Sequence, residues 1–248
     1  MDEQFSRSAL LLGDDAMERI FRAKIALFGV GGVGGQCVEA LARSGVGTLH
    51  LYDDDTVSLS NLNRQIAALH STLGKPKVQV IADRVRDINP ACDVKAIRMF
   101  YLPQNADQVD LSQYDYVVDC IDTVAAKLEL ISRCTALNVP IISAMGTGNK
   151  LDPSALRISD ISKTQGCPLA RVMRKELRKR GIEHLKVVWS TEVPRTPLER
   201  AQPEAPAQSD TRPGSTTRRD TPGSLPFVPA AAGLLLASAV VRDLIGEH

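Results

Sequence analysis

The sequence predicts an α/β fold in which a mostly parallel sheet is covered by helices on both faces. Two observations support this prediction. An apolar run at residues 25–28 leads into a glycine cluster and then a helical pattern at 33–43, which is how a nucleotide-binding βαβ unit begins. Further along the chain, strand-like and helix-like segments alternate, as is typical of a parallel sheet. The arrangement is therefore Rossmann-like.

The glycine cluster is the first candidate binding element, and it comprises Gly29, Gly31, Gly32 and Gly34. We predict that Gly29 makes the tight turn, that Gly31 lets phosphate approach the backbone, and that Gly34 lets helix pack on strand. The helix N-terminus adds free N–H groups and a partial positive charge. Dehydrogenases, flavoproteins and methyltransferases share this motif, so it predicts a nucleotide without fixing the class.

The remaining elements follow in order. A predicted strand at 48–52 ends at Asp53, which is well placed to accept hydrogen bonds from a ribose. The other predicted helices lie at 77–87, 124–137 and 168–180, and the other predicted strands at 93–99, 116–120, 140–144, 155–161 and 185–190. An apolar helical pattern at 227–245 carries Pro229 in its first turn, and we expect this helix to be buried as it returns to the sheet.

Charged residues between these elements favour ATP over a dinucleotide. A dinucleotide carries only a diphosphate, which a helix end can largely satisfy, whereas ATP attacked at its α-phosphate needs cations along the triphosphate. Arg64 offers a planar fork for phosphate oxygens, and Lys77 offers a point charge. Asp122 follows the strand at 116–120 at the same sheet edge and is a candidate ligand for Mg²⁺.

Taken together, these segments resemble the ubiquitin-activating-enzyme-like (ThiF/MoeB-like) adenylating superfamily. The matching segments are residues 29–34, 53–55, 61–65, 75–77 and 119–122, and they cover about the first half of the chain. In that superfamily a carboxylate attacks the α-phosphate of ATP and gives an acyl adenylate and pyrophosphate. The resemblance therefore implies ATP and Mg²⁺ as ligands.

The resemblance also implies roles for individual residues. Asp53 would bind the ribose, Arg64 and Lys77 the phosphates, Asn61 and Gln65 would line the phosphate site, and Asp122 would bind the metal. Two alternatives stay open. Asp55, a further candidate at this site, and Asn61 are also residue types that cap turns and support loops. Arg64, Lys77 and Asp122 are also able to form a structural ion-pair network.

An N-terminal arginine extends the resemblance to quaternary structure. Arg7 matches the arginine that, in this superfamily, reaches the γ-phosphate bound by the neighbouring subunit. The resemblance therefore implies a homodimer.

Segments in the middle of the chain indicate which branch of the superfamily the sequence resembles. Residues 143–153, 160–164 and 167–170 resemble the dehydratases that act on threonylcarbamoyladenosine in tRNA. Those enzymes activate the threonylcarbamoyl carboxylate with ATP, and a carbamoyl nitrogen or oxygen then displaces AMP to close a ring. Cys167 stands where an acidic residue is often found in that branch. A nucleophilic role for Cys167 is not favoured, because no histidine or other base accompanies it.

A basic helix is the candidate tRNA-binding surface. The net charge of +1 is uninformative, but the helix predicted at 168–180 separates apolar from basic residues. Its apolar face is predicted to contain Leu169, Val172, Met173 and Leu177. Its basic face is predicted to contain Arg171, Arg174, Lys175 and Arg178. The alternative is an ordinary solvated helix face.

The cysteines, the N-terminus and the apolar segments predict the zinc content and the cellular location of the protein. The five cysteines include no closely spaced pair, so we expect no structural zinc and place the protein in the reducing cytoplasm. The N-terminus lacks the pattern of a signal peptide, and we expect no integral membrane insertion, with peripheral association at the apolar 227–245 segment as the alternative. A monovalent cation is a further candidate ligand, and a sulfur-relay protein a further candidate partner.

We predict one adenylating domain over residues 1–248. Its parts are an N-terminal helical segment at 1–24, an ATP-binding core at 25–150, a substrate-side elaboration at 151–190, a flexible crossover loop at 191–226 and a C-terminal helix at 227–246. The crossover loop contains a weaker basic cluster of Arg212, Arg218 and Arg219. Two other functions stay open: activation of a ubiquitin-like or sulfur-carrier protein, and dinucleotide-binding redox chemistry.

Overall fold

The computed structural model describes residues 2–198 and 222–247, and within them seven strands form one sheet. The strands are Lys24–Phe28 (β1), Thr48–Tyr52 (β2), Asp93–Ile97 (β3), Tyr116–Asp119 (β4), Ile141–Ala144 (β5), Leu156–Asp160 (β6) and Lys186–Ser190 (β7). Their spatial order is β3-β2-β1-β4-β5-β7-β6, and every pairing is parallel except that of β6 with β7. The predicted mostly parallel α/β sheet is confirmed.

Seven α-helices accompany this sheet in the described part of the chain. They are Ser6–Leu12 (α1), Asp14–Arg22 (α2), Gly34–Arg43 (α3), Lys77–Ile88 (α4), Val124–Ala136 (α5), Pro168–Arg178 (α6) and Phe227–Ile245 (α7). Each predicted element is present, and the differences are confined to its ends. The strand predicted at 93–99, for example, stops at Ile97.

Alternating residues of β1 show how the two faces are covered. Ile25 and Leu27 are fully buried in the core formed with α3, α4 and α7, whereas Ala26 and Phe28 are buried in a second core with α5. Successive side chains of a strand point to opposite faces, so helices must cover both. A third core lies between α5 and α6, beside β7.

Helix α7 is long and apolar enough to cross a membrane by length and composition alone, with a mean hydropathy of 1.7. Its side chains at Val228, Leu236 and Val240 are nevertheless fully buried in the same core as α3. Pro229 lies in its first turn, as predicted, and Gly246 ends it in the left-handed conformation. The helix thus packs as the returning core helix that the sequence predicts.

The predicted crossover loop lies only partly within the described residues. Its segment 191–198 follows β7, and 222–226 precedes α7. The basic cluster predicted at Arg212, Arg218 and Arg219 lies outside the described residues.

Candidate functional site

The glycine loop after β1 has the geometry that its sequence predicts. Gly29 adopts a φ of 88°, and a Cβ there would lie 2.7 Å from the carbonyl oxygen of Cys120. A Cβ at Gly34 would collide with the carbonyl oxygen of Gly29, so α3 approaches β1 as only glycine allows. Gly31, in contrast, borders open space, with Nε2 of Gln65 at 3.8 Å from the position of a Cβ. The loop thus leaves room where a phosphate would approach.

Asp53, at the end of β2, is tied to this loop. Its Oδ2 accepts a hydrogen bond from the backbone N–H of Val30 at 2.8 Å, and its Oδ1 accepts one from Asp55 at 2.9 Å. Burial raises the pKa of the Asp53 carboxyl, against the lowering effect of these hydrogen bonds and of Lys77. Because each carboxylate oxygen has a second lone pair, the group retains acceptors for a ribose. Its role in ribose binding stays a prediction.

Gln65 and Arg64 lie on another side of the loop. Gln65 is buried, and its Oε1 has no hydrogen-bond partner among the described residues, although buried polar atoms are normally paired. The Arg64 side chain passes Gly32, with its Cγ 3.6 Å from the position of a Cβ there, and its Nη1 donates to the carbonyl of Ser60 and to Oδ1 of Asn63. An amide whose oxygen has no partner among the described residues, and a cation, therefore flank the glycine loop.

The side-chain oxygen of Asn61 has a hydrogen-bond partner within its own loop. Its Oδ1 accepts a hydrogen bond from the backbone N–H of Ser58 at 3.1 Å, which caps the short helical turn Leu59–Asn61. This contact favours the loop-supporting alternative for Asn61 over direct phosphate binding.

Lys77 begins α4 and forms an ion pair with Asp55 at 2.7 Å. The Lys77 side chain is only 6% exposed, whereas that of Asp55 is 34% exposed. The carboxylates of Asp53, Asp54 and Asp55 lie within 4.8 Å of one another, so Lys77 also offsets their mutual repulsion. Lys77 and Asp55 thus form an ion pair at the edge of the predicted phosphate site.

Asp122 is exposed, and among the described residues its Oδ1 accepts one long hydrogen bond, of 3.3 Å from Oγ1 of Thr123. Its carboxylate therefore retains most of its acceptor capacity. The turn that carries it lies beside the glycine loop, since a Cβ at Gly29 would be 3.2 Å from the backbone nitrogen of Ile121. The structure thus brings Asp122 close to the loop that the sequence assigns to ATP.

A fully buried polar cluster beneath this turn was not predicted. Nζ of Lys127 forms an ion pair with Oδ2 of Asp119 at 2.8 Å, and Ser143 donates to the same oxygen at 2.5 Å. Lys127 also donates to the carbonyl of Ile121, whose N–H donates to Oδ1 of Asp119. The turn before Asp122 is therefore held through both of its backbone groups.

One signal for this cluster was present in the sequence. Lys127 precedes Ile131 and Cys134 by four and seven residues, which puts a cation on the apolar face of the predicted helix. A charge at such a position is buried only with a partner. Neither the helical period nor the motif, however, identifies that partner as Asp119.

Helix α6 departs from its prediction at two positions. Val172, predicted on the apolar face, is 45% exposed, and Ala170 is buried with Met173 and Leu177 instead. Arg174, predicted on the free basic face, donates to the carbonyl and hydroxyl of Thr164. Arg174 therefore anchors the preceding loop and is not a free cation.

The remaining basic residues of this face are exposed at Arg171, Lys175 and Arg178. The neighbouring cations Lys179 and Arg180 form ion pairs with Glu176. The reduced basic face is still continuous along α6, and tRNA contact there stays a prediction.

Lys150 and Cys167 lie beyond the end of β5, and the buried Lys150 was not predicted. Nζ of Lys150 donates to the carbonyl of Gly146 at 3.0 Å, and burial lowers its pKa, against the raising effect of Cys167 and Glu192. Cys167 is buried and precedes α6 without forming a side-chain cap, as expected for packing. The structure shows no histidine or carboxylate bonded to its thiol in the described part of the chain.

At the N-terminus, Arg7 is exposed on α1. The same short helix exposes Leu10 and Leu11, at 89% and 84%. These two neighbouring leucines form an exposed apolar patch at the N-terminus.

Comparison with known proteins identifies a family and several relatives for this chain. The ThiF family matches residues 5–248. The chain is 42% identical to a tRNA threonylcarbamoyladenosine dehydratase of Bacillus subtilis, over all of this chain and 96% of that protein. It is 37% identical over 60% of each chain to the sulfur carrier protein ThiS adenylyltransferase of Escherichia coli.

A solved structure extends the agreement to three dimensions. The E. coli dehydratase TcdA in complex with ATP superposes with a TM-score of 0.84 at 32% identity, covering 99% of this chain and 95% of that one. With a family match over nearly the whole sequence, the chain belongs to the ThiF family.

Proposed function

We propose that this protein is an ATP-dependent dehydratase that adenylates the carboxylate of threonylcarbamoyladenosine in tRNA and then closes it into a ring. The observation that carries the proposal is the glycine loop flanked by Asp53, Gln65, Arg64 and the Asp122 turn, in a chain similar over its whole length to such a dehydratase. The ATP complex of the related E. coli enzyme supports ATP as the nucleotide.

In the first step a substrate carboxylate oxygen attacks the α-phosphorus, and the bond to the β-phosphate oxygen breaks, releasing pyrophosphate. The N-terminus of α3 and the side chains of Arg64 and Lys77 would stabilise the charge that develops on the phosphates. Lys77 would exchange its contact with Asp55, which is one third exposed, for a phosphate oxygen. Asp53 would hold the ribose.

In the second step a carbamoyl nitrogen or oxygen attacks the activated carbonyl carbon. AMP leaves, a carbamoyl nitrogen loses a proton, and the ring has one water fewer than the starting side chain. Nucleophile and electrophile belong to the same side chain, so their effective concentration is high and no second substrate is needed. The protein contributes mainly by positioning ATP beside the substrate.

Mg²⁺ fits the residues present. Asp122 has an exposed carboxylate with a single long internal hydrogen bond, and oxygen is the ligand that Mg²⁺ prefers. Bound there, the ion would neutralise charge on the triphosphate. A monovalent cation remains a further candidate ligand.

Partners follow from the exposed surfaces. The leucines of α1 support a homodimer in which Arg7 would reach the nucleotide of the partner subunit. Arg171, Lys175 and Arg178 support tRNA contact along α6. A sulfur-relay protein is a further candidate partner. Five free cysteines suit the cytoplasm, where we place the protein.

Pyrophosphate release tests the proposal. Purified protein is incubated with Mg²⁺, ATP and tRNA that either carries or lacks the threonylcarbamoyl group. We expect release of pyrophosphate and AMP only with the modified tRNA. Release that instead requires a small protein with a C-terminal glycine would identify a carrier-protein adenylyltransferase and contradict the proposal.

A further inference from the structure

A cavity of about 190 Å³ lies beyond the carboxyl ends of β5 and β7. Three segments that are distant in sequence line it: Asn149–Leu151, Arg195–Pro197 and Gly223–Leu225. Because β1, β4, β5 and β7 pair in parallel, their carboxyl ends share one edge of the sheet. The cavity therefore opens along the same edge as the glycine loop that follows β1.

Asn149 holds the three segments together. Its backbone N–H donates to the carbonyl of Gly223 at 2.7 Å, and its Oδ1 accepts from the N–H of Gly223 at 2.6 Å. Its carbonyl accepts from the N–H of Arg195 at 2.8 Å. Asn149 also adopts a φ of 61°, a left-handed conformation that asparagine tolerates better than most residues. The cavity is thus fixed by specific hydrogen bonds.

One wall of the cavity is linked directly to the phosphate site. The carbonyl of Ser224 accepts a hydrogen bond of 2.9 Å from Nδ2 of Asn63. Oδ1 of Asn63 accepts another of 2.9 Å from Nη1 of Arg64. A single side chain therefore separates the cavity wall from the guanidinium proposed to bind phosphate.

The lining suits a small ligand with an apolar part and a negative charge. Leu151, Pro197 and Leu225 supply apolar surface, and Arg195 supplies an exposed guanidinium. Lys150 also lines the cavity, and its Nζ donates to the carbonyls of Gly146 and Ser190, which leaves one of its three donors available. The volume is below the roughly 300 Å³ at which pockets for drug-sized ligands begin. A group of amino-acid size fits this space better than a whole nucleotide.

We propose that this cavity is the subsite for the threonylcarbamoyl side chain of the modified adenosine. The threonine methyl group packs against the apolar wall, and Arg195 binds and orients the carboxylate toward the α-phosphate. This assignment rests on the proposed function and adds the place where the reacting side chain binds. Asn149 and Asn63 are positioning residues, because they act through the cavity wall.

Two cavity variants test the assignment. Leu225→Trp places a large side chain at the cavity wall. Val193→Trp is the control, since Val193 is 74% exposed on the segment that carries Arg195 but does not line the cavity. For Leu225→Trp we expect the KM for modified tRNA to rise about tenfold or more, which is what loss of a small apolar subsite contact produces. ATP affinity and affinity for unmodified tRNA should stay within twofold of wild type, and Val193→Trp should resemble wild type throughout.

Arg195→Ala is the second test, because an exposed side chain can be removed without risk to folding. We expect about a tenfold or greater loss in kcat/KM, with partial recovery in Arg195→Lys, as for the loss of a charge-assisted hydrogen bond. Free threonylcarbamoyladenosine nucleoside should inhibit the wild type and inhibit Leu225→Trp more weakly.

Different results would contradict the subsite assignment and the proposed function. If the wild type converts modified tRNA while Leu225→Trp and Arg195→Ala both keep wild-type KM and kcat/KM, the subsite assignment is wrong and the proposed function stands. If the wild type binds ATP but converts no modified tRNA, the proposed function is wrong, and the subsite assignment is then wrong as well.

Discussion

Two buried lysines, Lys77 and Lys127, occupy contrasting positions around the same glycine loop. Lys77 pairs with Asp55 at 2.7 Å, and the carboxylate of that pair is one third exposed. Lys127 pairs with Asp119 at 2.8 Å, and neither side chain is exposed at all. The pairs have similar lengths, but only the first has a partner that water or a ligand can reach.

This difference in exposure suggests different roles for the two lysines: Lys77 binds a ligand, and Lys127 positions a turn. Lys77 can exchange Asp55 for a phosphate oxygen, because the released carboxylate would be solvated. Lys127 has no such exchange available, since releasing Asp119 would leave a carboxylate unpaired in the core. We infer that Lys127 fixes the turn that carries Asp122, whereas Lys77 acts on the nucleotide. The predictions below test this division.

The largest expected effect is on stability. Lys127→Met should lower the free energy of unfolding by roughly 3–5 kcal/mol, because it leaves the Asp119 charge buried without its partner. Urea unfolding followed by circular dichroism measures it. Arg86→Met, which breaks an exposed ion pair with Asp83, is the control and should change stability little. A Lys127→Met protein as stable as the wild type would remove the distinction between the two lysines.

The next largest effect is on turnover. Lys77→Ala, Arg64→Ala and Asp122→Ala should each lower kcat at least ~100-fold while leaving the fold intact, since each removes charge stabilisation from the phosphate site. Asp53→Ala should mainly raise the KM for ATP. Lys95→Ala, on the exposed side of β3, is the matched control. Near-normal rates in both Lys77→Ala and Arg64→Ala, with unfolding unchanged, would contradict the adenylation mechanism.

The stabilisation of the folded protein by bound ATP should be a smaller effect than the loss of turnover. ATP with Mg²⁺ at about a hundred times its Kd should raise the Tm by about 5–10 °C, because it binds only the folded chain. The shift should shrink in Lys77→Ala but persist in Lys95→Ala. Thermal unfolding with ATP and with NAD makes the measurement. A larger shift with NAD would favour the dinucleotide-binding alternative.

The smallest effect concerns tRNA. A variant carrying Glu at Arg171, Lys175 and Arg178 should bind tRNA more weakly and flatten the dependence of log affinity on log salt concentration by about two to three units, since fewer counterions are released. Arg174 is left unchanged because it anchors the loop at Thr164. ATP affinity should not change.

The control for this variant is a reversal of equal charge elsewhere, at Arg22, Arg43 and Arg86. If both triple variants flatten the salt dependence equally, α6 is an ordinary solvated helix. The basic cluster at Arg212, Arg218 and Arg219 would then become the next candidate.

The nucleotide side of the site was predictable because its residues follow one another along the chain. Gly29 and Gly34 lie in a local strand-to-helix turn, and Asp53 follows the next strand. Hydrophobic periodicity and turn-forming residues are therefore enough to place them. The same holds for the element order, since each strand and helix has its own hydrophobic pattern. Element ends were less well defined because fraying and turns decide them.

Other contacts around the site join segments that are distant in the sequence. Asn149 joins residues near 195 and 223, and Lys127 joins β4 to α5 beneath the Asp122 turn. Arg174 sits at a basic position of an amphipathic helix, yet its carbonyl partners belong to a loop ten residues earlier. No local pattern encodes such pairings, so the sequence predicted the charges of this region without their partners.

The proposed function is the conversion of one side chain on tRNA, and nucleoside mass spectrometry measures that conversion. Modified tRNA is incubated with the protein, ATP and Mg²⁺, then digested to nucleosides under mild conditions that preserve a reactive ring. With wild type and Lys95→Ala, we expect threonylcarbamoyladenosine to be replaced by a nucleoside lighter by one water. With Lys77→Ala, we expect no such replacement. An unchanged nucleoside after incubation with wild type, with ATP bound and the protein folded, would contradict the proposed function.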